Sequence, residues 1–313
     1  MSRLRVAVVG TGYLGRIHAQ KYAAIEEAEL AAVCDRDEST GRRVAEELGV
    51  PFFADHRELL SHVDAVTIAA STVAHFDLAR EFLERGVHVF VEKPITRTSR
   101  EAAILTDLAE ERGLKLQVGH IERFNPALLA AREGFDDVRF IECHRLAPFK
   151  SRSIDVNVVL DLMIHDLDVI LSLVAAPPTQ VSAVGIVVLT ENVDVANARI
   201  EFANGAMANV TASRVSTSAQ RKFRVWQDNQ YVSIDFGSGT VQRVTSRRDR
   251  ADGESPLTEE TWNLEKGDAL LAETRAFIDA IRNDTPCIVS GRDGLAALEL
   301  AEKITADIDR RRQ

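Results

Sequence analysis

The chain has 313 residues, 45% hydrophobic and 27% charged, an ordinary globular composition at a length that favours two domains over one core. Its formal net charge of -10 argues against a nucleic-acid backbone as a general partner, while leaving room for a local basic pocket. Cys34, Cys143 and Cys287 are far apart and form neither a CxxC pair nor an even disulfide framework, so they read as buried small hydrophobes in a reducing compartment. No stretch approaches the ~18 apolar residues of a membrane span, and the apolar run in MSRLRVAVVGTG is too short for a signal segment. The expected location is the cytoplasm, with no membrane partner.

The first ~120 residues alternate apolar runs with helical spacing. LRVAVVG is a strand, and Gly12 to Ala24 a helix. LAAVCD is a strand, and Glu38 to Leu48 a helix closed by Gly49. DAVTIAA, VHVFVE and LKLQVG are further strands. Helices over Val73 to Arg85 and Ser99 to Arg112 stand between them, ending at Gly86 and Gly113. Strands apolar on both faces and joined by helices predict an α/β, doubly wound parallel sheet of the Rossmann type over 1–120.

The texture changes after Gly119. A helix near Asn125 to Arg132 precedes the strand VRFIECHRLAPF. A long apolar helix from Val156 to Val174 stops before Pro177-Pro178. VSAVGIVVL, VANARIEFA, AMANVTASR, KFRVWQ, YVSIDF and TVQRVT then alternate as strands. Asn204-Gly205, Asp228-Asn229 and Gly237-Ser238-Gly239 mark hairpins between them. The expectation for 121–313 is a second α/β domain on an open-faced, mostly antiparallel sheet, for substrate binding and oligomerisation. Thr245 to Pro256 reads as a surface loop. Helices over Ala269 to Asn283 and Arg292 to Arg311 complete the chain, the last free to pack back toward the first domain.

GTGYLG, Gly10 to Gly15, fits G-x-G-x-x-G between a strand and a helix. The first glycine permits the tight turn, the second admits a pyrophosphate, and the third lets helix and strand pack closely. The helix N-terminus supplies amide donors and a positive dipole to the phosphates. Asp35 ends the second strand, where a carboxylate accepts the ribose hydroxyls of NAD and repels the 2′-phosphate of NADP. Arg36 follows and is able to hold such a phosphate, so NAD is expected with NADP the lesser alternative.

VFVEKPI, Val89 to Ile95, is a strand that ends abruptly on Glu92-Lys93-Pro94. Ligands of open parallel sheets bind beyond the carboxyl ends of the strands, so Lys93 is aimed at the place expected for the nicotinamide. DLMIHDLD places Asp161, His165 and Asp168 at i, i+4 and i+7 on one face of an apolar helix, with Asp166 pointing elsewhere. Three polar groups on such a helix read as an acid/base pair, a satisfied buried network or a metal site.

In this order, the glycine turn, EKP and D-x-x-x-H resemble the Gfo/Idh/MocA family of oxidoreductases over essentially the whole chain. The resemblance implies a Rossmann domain, a second domain with an open-faced sheet that makes homodimers or homotetramers, and dehydrogenation of a sugar or polyol. It implies that Lys93 holds the reacting hydroxyl and stabilises charge on its oxygen. It places His165 as the proton acceptor with Asp161 beside it, and His75 near the nicotinamide ribose. The cofactor set is then Gly10, Gly12, Tyr13, Leu14, Gly15, Asp35, Arg36, Ser71, His75, Glu92 and Lys93, with no metal. The chain departs from the family pattern at Val156 to Leu160, where glycines often stand, and at Ala70-Ser71-Thr72 in place of a Thr-Pro pair.

GHIERFNPA and DVNVVLDLMIHDLD also look like one branch of that family, bacterial enzymes that oxidise C3 of UDP-N-acetylglucosamine toward the 3-amino sugar of lipid A. Such a substrate asks for cations at its pyrophosphate. Arg123, Arg145, Lys150 and Arg152 flank the expected cleft, so the substrate set is Lys93, Arg123, Lys150, Arg152, Asp161 and His165. An inositol or another sugar is the alternative substrate. A non-catalytic NAD-binding regulator is the alternative of another class.

Overall fold

The protein is described by a computed structural model that defines residues 2–150, 156–247 and 254–312. The first stretch of chain runs β1 (Leu4–Val9), α1 (Tyr13–Ala23), β2 (Ala28–Cys34), α2 (Glu38–Leu48), β3 (Phe52–Phe53), β4 (Ala65–Ile68), α3 (Thr72–Glu84), β5 (His88–Glu92), α4 (Ser99–Glu111) and β6 (Leu116–Gly119). Next come α5 (Pro126–Arg132), β7 (Phe140–Leu146) and α6 (Ile164–Leu173). The strands β8 (Pro178–Ile186), β9 (Val195–Phe202), β10 (Met207–Ser213), β11 (Gln220–Gln227), β12 (Gln230–Asp235), β13 (Thr240–Ser246) and β14 (Leu257–Asn263) follow. Helices α7 (Ala269–Arg282) and α8 (Gly291–Arg312) close the chain.

The chain forms two compact units. One comprises Met1–Ile121 with Asp268–Leu298, the other Glu122–Gly267 with Glu299–Gln313. The first is built on a wholly parallel sheet in the order β3-β2-β1-β4-β5-β6. That order reverses direction at β1, the crevice where Rossmann sheets take dinucleotides. The strands are buried on both faces, as continuous runs such as Val6–Val9 and Val89–Val91 require. Asp37 starts α2 by accepting the Ser39 and Thr40 amides, and a reciprocal Thr98/Glu101 capping box starts α4.

Asp268–Leu298 belongs to this first unit, whereas 121–313 is expected to form the second domain with only the last helix packing back. Helix α7 inserts Phe277 and Ile278 into a core shared with Val6, Tyr22, Ile25 and Phe90. Lys21–Asp268 (2.6 Å) and Lys115–Asp284 (2.7 Å) add ion pairs. An amphipathic pattern tells that a helix has a buried face and not which sheet that face meets.

The second unit carries an eight-stranded sheet in the order β14-β13-β12-β11-β7-β10-β9-β8. Every pairing is antiparallel except β7 with β10. On the buried face, Ile141, Cys143, Ala198, Ile200, Val210, Phe223 and Val225 alternate with more exposed neighbours on the other. Strand β14, LTEETWN, was not foreseen. It is an exposed edge strand, and its glutamates protect the edge while hiding the apolar alternation that reveals inner strands. Of the loop expected over Thr245 to Pro256, Thr245 and Ser246 belong to β13, and 248–253 lie outside the described residues.

The long helix expected from Val156 begins instead with a π turn, Val159–Met163, that continues into α6. A π turn holds an extra residue per turn, and such turns are frequent at functional sites. Here it contains Asp161. Among the described residues no helix is long and apolar enough to cross a membrane. Cys34 and Cys143 are buried free thiols, and burial, aided by Asp35, pushes Cys34 up to about 12. Neither is a ready nucleophile.

Candidate active-site residues

The glycine turn fits a pyrophosphate. Gly10 sits at φ +87°, and a Cβ there would lie 2.6 Å from the Ala70 amide nitrogen. At Gly15 a Cβ would lie 1.7 Å from the Gly10 carbonyl oxygen, so α1 reaches β1 only with glycine at that position. Gly12 has open space where a Cβ would stand. Helix α1 starts with no side-chain cap and no acidic residue in its first turn, which leaves amide donors and the positive helix end for an anion. Tyr13 is exposed at this end and Leu14 is half-buried.

Asp35 is held by the same turn. Its Oδ2 accepts the Thr11 amide (2.7 Å) and the Thr11 hydroxyl (2.9 Å), and its Oδ1 accepts the Asp37 amide (2.9 Å). A carboxylate offers about four acceptor directions, so capacity remains for ribose hydroxyls. A cavity of about 540 Å³ opens here, lined by Gly10, Gly12, Asp35, Arg36, Ala70 and Ser71 among others. Arg36 is exposed at its edge. Thr11 and His56, which also lines the cavity, were not picked out from sequence, where a turn threonine and a loop histidine carry no distinguishing signal.

The strand end at Glu92-Lys93-Pro94 is built from buried polar contacts. Lys93 is half-buried and precedes a cis Lys93–Pro94 peptide bond. The Glu92 side chain, expected at the cofactor, is turned inward. Its Oε1 lies 2.7 Å from His18 Nε2, and its Oε2 accepts the Lys93 amide at 3.2 Å. His75, expected beside the nicotinamide ribose, is 1% exposed. Both of its ring nitrogens meet backbone carbonyls, Nδ1 that of Pro94 (2.9 Å) and Nε2 that of Ala70 (3.0 Å). Burial depresses its proton affinity against the pull of those carbonyls. His75 therefore ties the end of β4 to the turn after β5 and presents no ring nitrogen outward.

In the second unit, His165 and Asp161 are half-buried on the π turn and the start of α6. Asp168 does not share an open face with them. It is 2% exposed and paired with Arg123, Nε to Oδ2 3.8 Å. Asp166 is equally buried and takes a two-pronged contact from Arg145, Nε to Oδ2 2.9 Å and Nη2 to Oδ1 2.8 Å. The third arm of Arg145 reaches Glu122 Oε1 at 2.9 Å. Asp168 departs from the i, i+4, i+7 face expected for it because it serves a buried arginine, while Asp161 lies in the π turn ahead of α6. Arg123 and Arg145, both 5% exposed, each pair with a buried acid of the same unit. Lys150 is exposed, and Arg152 lies outside the described residues. Among the described residues, no group of three or more His, Cys, Asp or Glu side chains is arranged to hold a metal ion.

A six-stranded parallel sheet with an anion-binding glycine turn and a carboxylate at the end of β2 defines a dinucleotide-binding Rossmann unit, here joined to a unit with a mostly antiparallel sheet. Residues 4–120 match the family model of the oxidoreductase family with an NAD-binding Rossmann fold, and residues 135–233 match the GFO/IDH/MocA C-terminal domain. The chain belongs to the GFO/IDH/MocA family of oxidoreductases. It is 40% identical over 310 residues to a UDP-N-acetylglucosamine 3-dehydrogenase of Acidithiobacillus ferrooxidans, covering 99% of this chain and 98% of that one. A solved structure of that enzyme superposes with a TM-score of 0.93 over 99% of both chains. It is also 30% identical to a scyllo-inositol 2-dehydrogenase (NAD(+)) of Bacillus subtilis, over 95% of this chain and 92% of the relative.

Proposed function

We propose that the protein oxidises the C3 hydroxyl of UDP-N-acetylglucosamine to a ketone with NAD, in supply of the 3-amino sugar of lipid A. The supporting observation is the 40% identity, over 99% of the chain, to an enzyme of that name. The residues carrying the chemistry are Lys93, Asp161 and His165. The Lys93 ammonium donates to the reacting oxygen and stabilises the negative charge that grows on it. His165 takes the hydroxyl proton, and Asp161 orients the exchange. NAD, when bound, accepts the hydride. Gly10, Gly12 and the amides of α1 hold its pyrophosphate, and Asp35 its ribose.

Asp35 also sets the expected cofactor preference, because a 2′-phosphate would meet a carboxylate already fixed by three hydrogen bonds. Formation of NADH from NAD and UDP-N-acetylglucosamine, with an aminotransferase and amino donor present to consume the ketone, tests substrate and cofactor together. Turnover on the nucleotide sugar with NAD above NADP is the expected result. Turnover on inositols alone, or NADP above NAD, overturns it.

The protein acts as a homo-oligomer through the second sheet. Helices α5 and α6 and the tail of α8 pack against one face of that sheet, by contacts of α5 with β12 and α6 with β7 and by Asp307 accepting the Ala183 amide. On the other face Phe140, Trp226 and Tyr231 stack at 5.0 Å spacing, an aromatic strip suited to a second copy. Sedimentation equilibrium is expected to give a dimer or tetramer. A monomer at micromolar concentration would remove this assignment.

A further inference from the structure

We propose that His18 is a positioning residue for Lys93, tethering the strand end that carries the lysine to the helix that binds the cofactor phosphates. The inference rests on the reading of Lys93 given above and goes beyond it to a residue outside the reacting groups.

Gly15 brings α1 onto β1, and α1 then crosses toward its neighbours in the sheet. One turn after Gly15, His18 is fully buried, its ring edge against Phe90 of β5 at 5.1 Å between centroids. Its Nε2 lies 2.7 Å from Glu92 Oε1. A further turn on, the Tyr22 hydroxyl meets Thr67 Oγ1 of β4 at 2.6 Å. Helix α1 thus holds two adjacent strands by one polar contact each, with His18 serving β5.

The carboxylate between His18 and Lys93 has a seat built for it. Glu92 is the last residue of β5 and is 8% exposed. Its partner across β6 is Gly119, where a Cβ would stand 2.7 Å from Glu92 Oε2. That oxygen accepts the Lys93 amide at 3.2 Å. A buried carboxylate is expensive unless each oxygen has a donor, and the two donors here are the His18 ring and the Lys93 backbone. His18 Nδ1 is buried with no hydrogen-bond partner among the described residues, so Nε2 is the ring nitrogen through which His18 acts, donating to Glu92.

Without His18 the carboxylate loses one of its two donors and is drawn toward whatever cation or water it can reach. Lys93 is the adjacent cation. The Lys93 backbone is then released, and its ammonium is drawn toward Glu92 instead of the substrate oxygen. Displacement of a catalytic group by about 1 Å costs on the order of 100-fold in rate, so a tether two residues removed from the chemistry has a kinetic effect of that scale.

The test compares wild type, His18→Leu and His18→Gln in steady-state kinetics, NAD calorimetry and amide hydrogen exchange over the peptide containing Lys93. His18→Leu keeps bulk and removes the donor. His18→Gln returns an N–H at about the reach of the imidazole Nε2. The expected result for His18→Leu is a kcat lower by roughly 10- to 100-fold with NAD affinity within threefold of wild type. Faster exchange of the Lys93 amide should accompany it, and His18→Gln should restore most of both. A kcat within twofold of wild type, or unchanged exchange at Lys93, overturns the proposal. So does a joint collapse of kcat and NAD affinity that glutamine does not rescue, because His18 would then only hold the helix together. Should His18→Leu fail to accumulate, Glu92→Gln makes the same test, since its amide nitrogen replaces one accepting oxygen. Wild-type kcat in that variant also overturns it. Lys93→Ala is the separate control. Retained turnover there fails the reading of Lys93, while the exchange measurement still decides whether His18 holds the strand end.

Discussion

Lys93→Ala is expected to lower kcat on UDP-N-acetylglucosamine by roughly 100- to 10,000-fold while NAD affinity stays within threefold, and His165→Ala is expected to do the same. The proposed reaction gives the two residues one task between them. Oxidising an alcohol needs the oxygen to gain negative charge as the hydride departs, and a neutral hydroxyl is a poor hydride donor. In the proposed reaction the His165 imidazole would remove the proton, and the Lys93 ammonium would offset the charge that removal leaves behind. Either alone leaves half of the electrostatic change unmet. The double variant should therefore be little worse than either single one, since groups acting on one transition state do not add. Steady-state NADH formation and NAD calorimetry on the three variants measure this. Turnover within threefold of wild type in either single variant would remove that residue from the chemistry. Loss of NAD binding in Lys93→Ala would make the lysine a cofactor ligand instead.

Much of the first unit was legible because its sequence obeys local rules. Apolar runs such as Val6–Val9 are buried on both faces, helices end at Gly49, Gly86 and Gly113, and the glycine turn carries its reasons in its own spacing. What escaped was contact information. Nothing in FIDAI announces that Phe277 and Ile278 pack beside Tyr22 and Phe90. Nothing local pairs His18 with Glu92, 74 positions away.

In the second unit the sequence is silent on contacts for a related reason. Polar residues in an apolar helix signal that something compensates them, and the sequence does not say what. Asp166 and Asp168 are compensated by Arg145 and Arg123 within the fold, while Asp161 and His165 stay half-exposed. Asp166 and Asp168 thus serve ion pairs inside the fold, and Arg123, expected at the substrate, is the partner of one of them. The π turn at Val159–Met163 is equally hidden, since no periodicity rule applied to this helix anticipates an extra residue in one turn.

Those ion pairs supply the second large effect. Arg145→Met is expected to destabilise the second unit by about 3–5 kcal/mol, because removing one member of a buried ion network leaves the others uncompensated. Arg145 faces Asp166 with two nitrogens and Glu122 with the third, and all three side chains are buried. Glu122 Oε2 accepts from the Asn125 side-chain amide at 3.0 Å, so removing Arg145 leaves that carboxylate with a neutral donor in place of a charged one. Burial opposes the ionised form of Asp166, raising its proton affinity despite Arg145, whereas the two carboxylates hold Arg145 firmly protonated against the same burial. In Arg145→Met the carboxylates face each other through an apolar side chain, and protonation or local opening must follow. Arg145→Lys keeps the charge but loses the planar fork, so its cost should fall between wild type and Met. A triple variant, Arg145→Met with Glu122→Gln and Asp166→Asn, should recover part of the loss by removing the stranded charges. Since Asp166 adjoins His165, the Met variant should also lose kcat beyond what its folded fraction explains. Urea unfolding followed by a probe in the second unit, with kcat measured well below the transition, reads both effects. A change in stability below about 1 kcal/mol would mean that the network carries no more than a surface pair does.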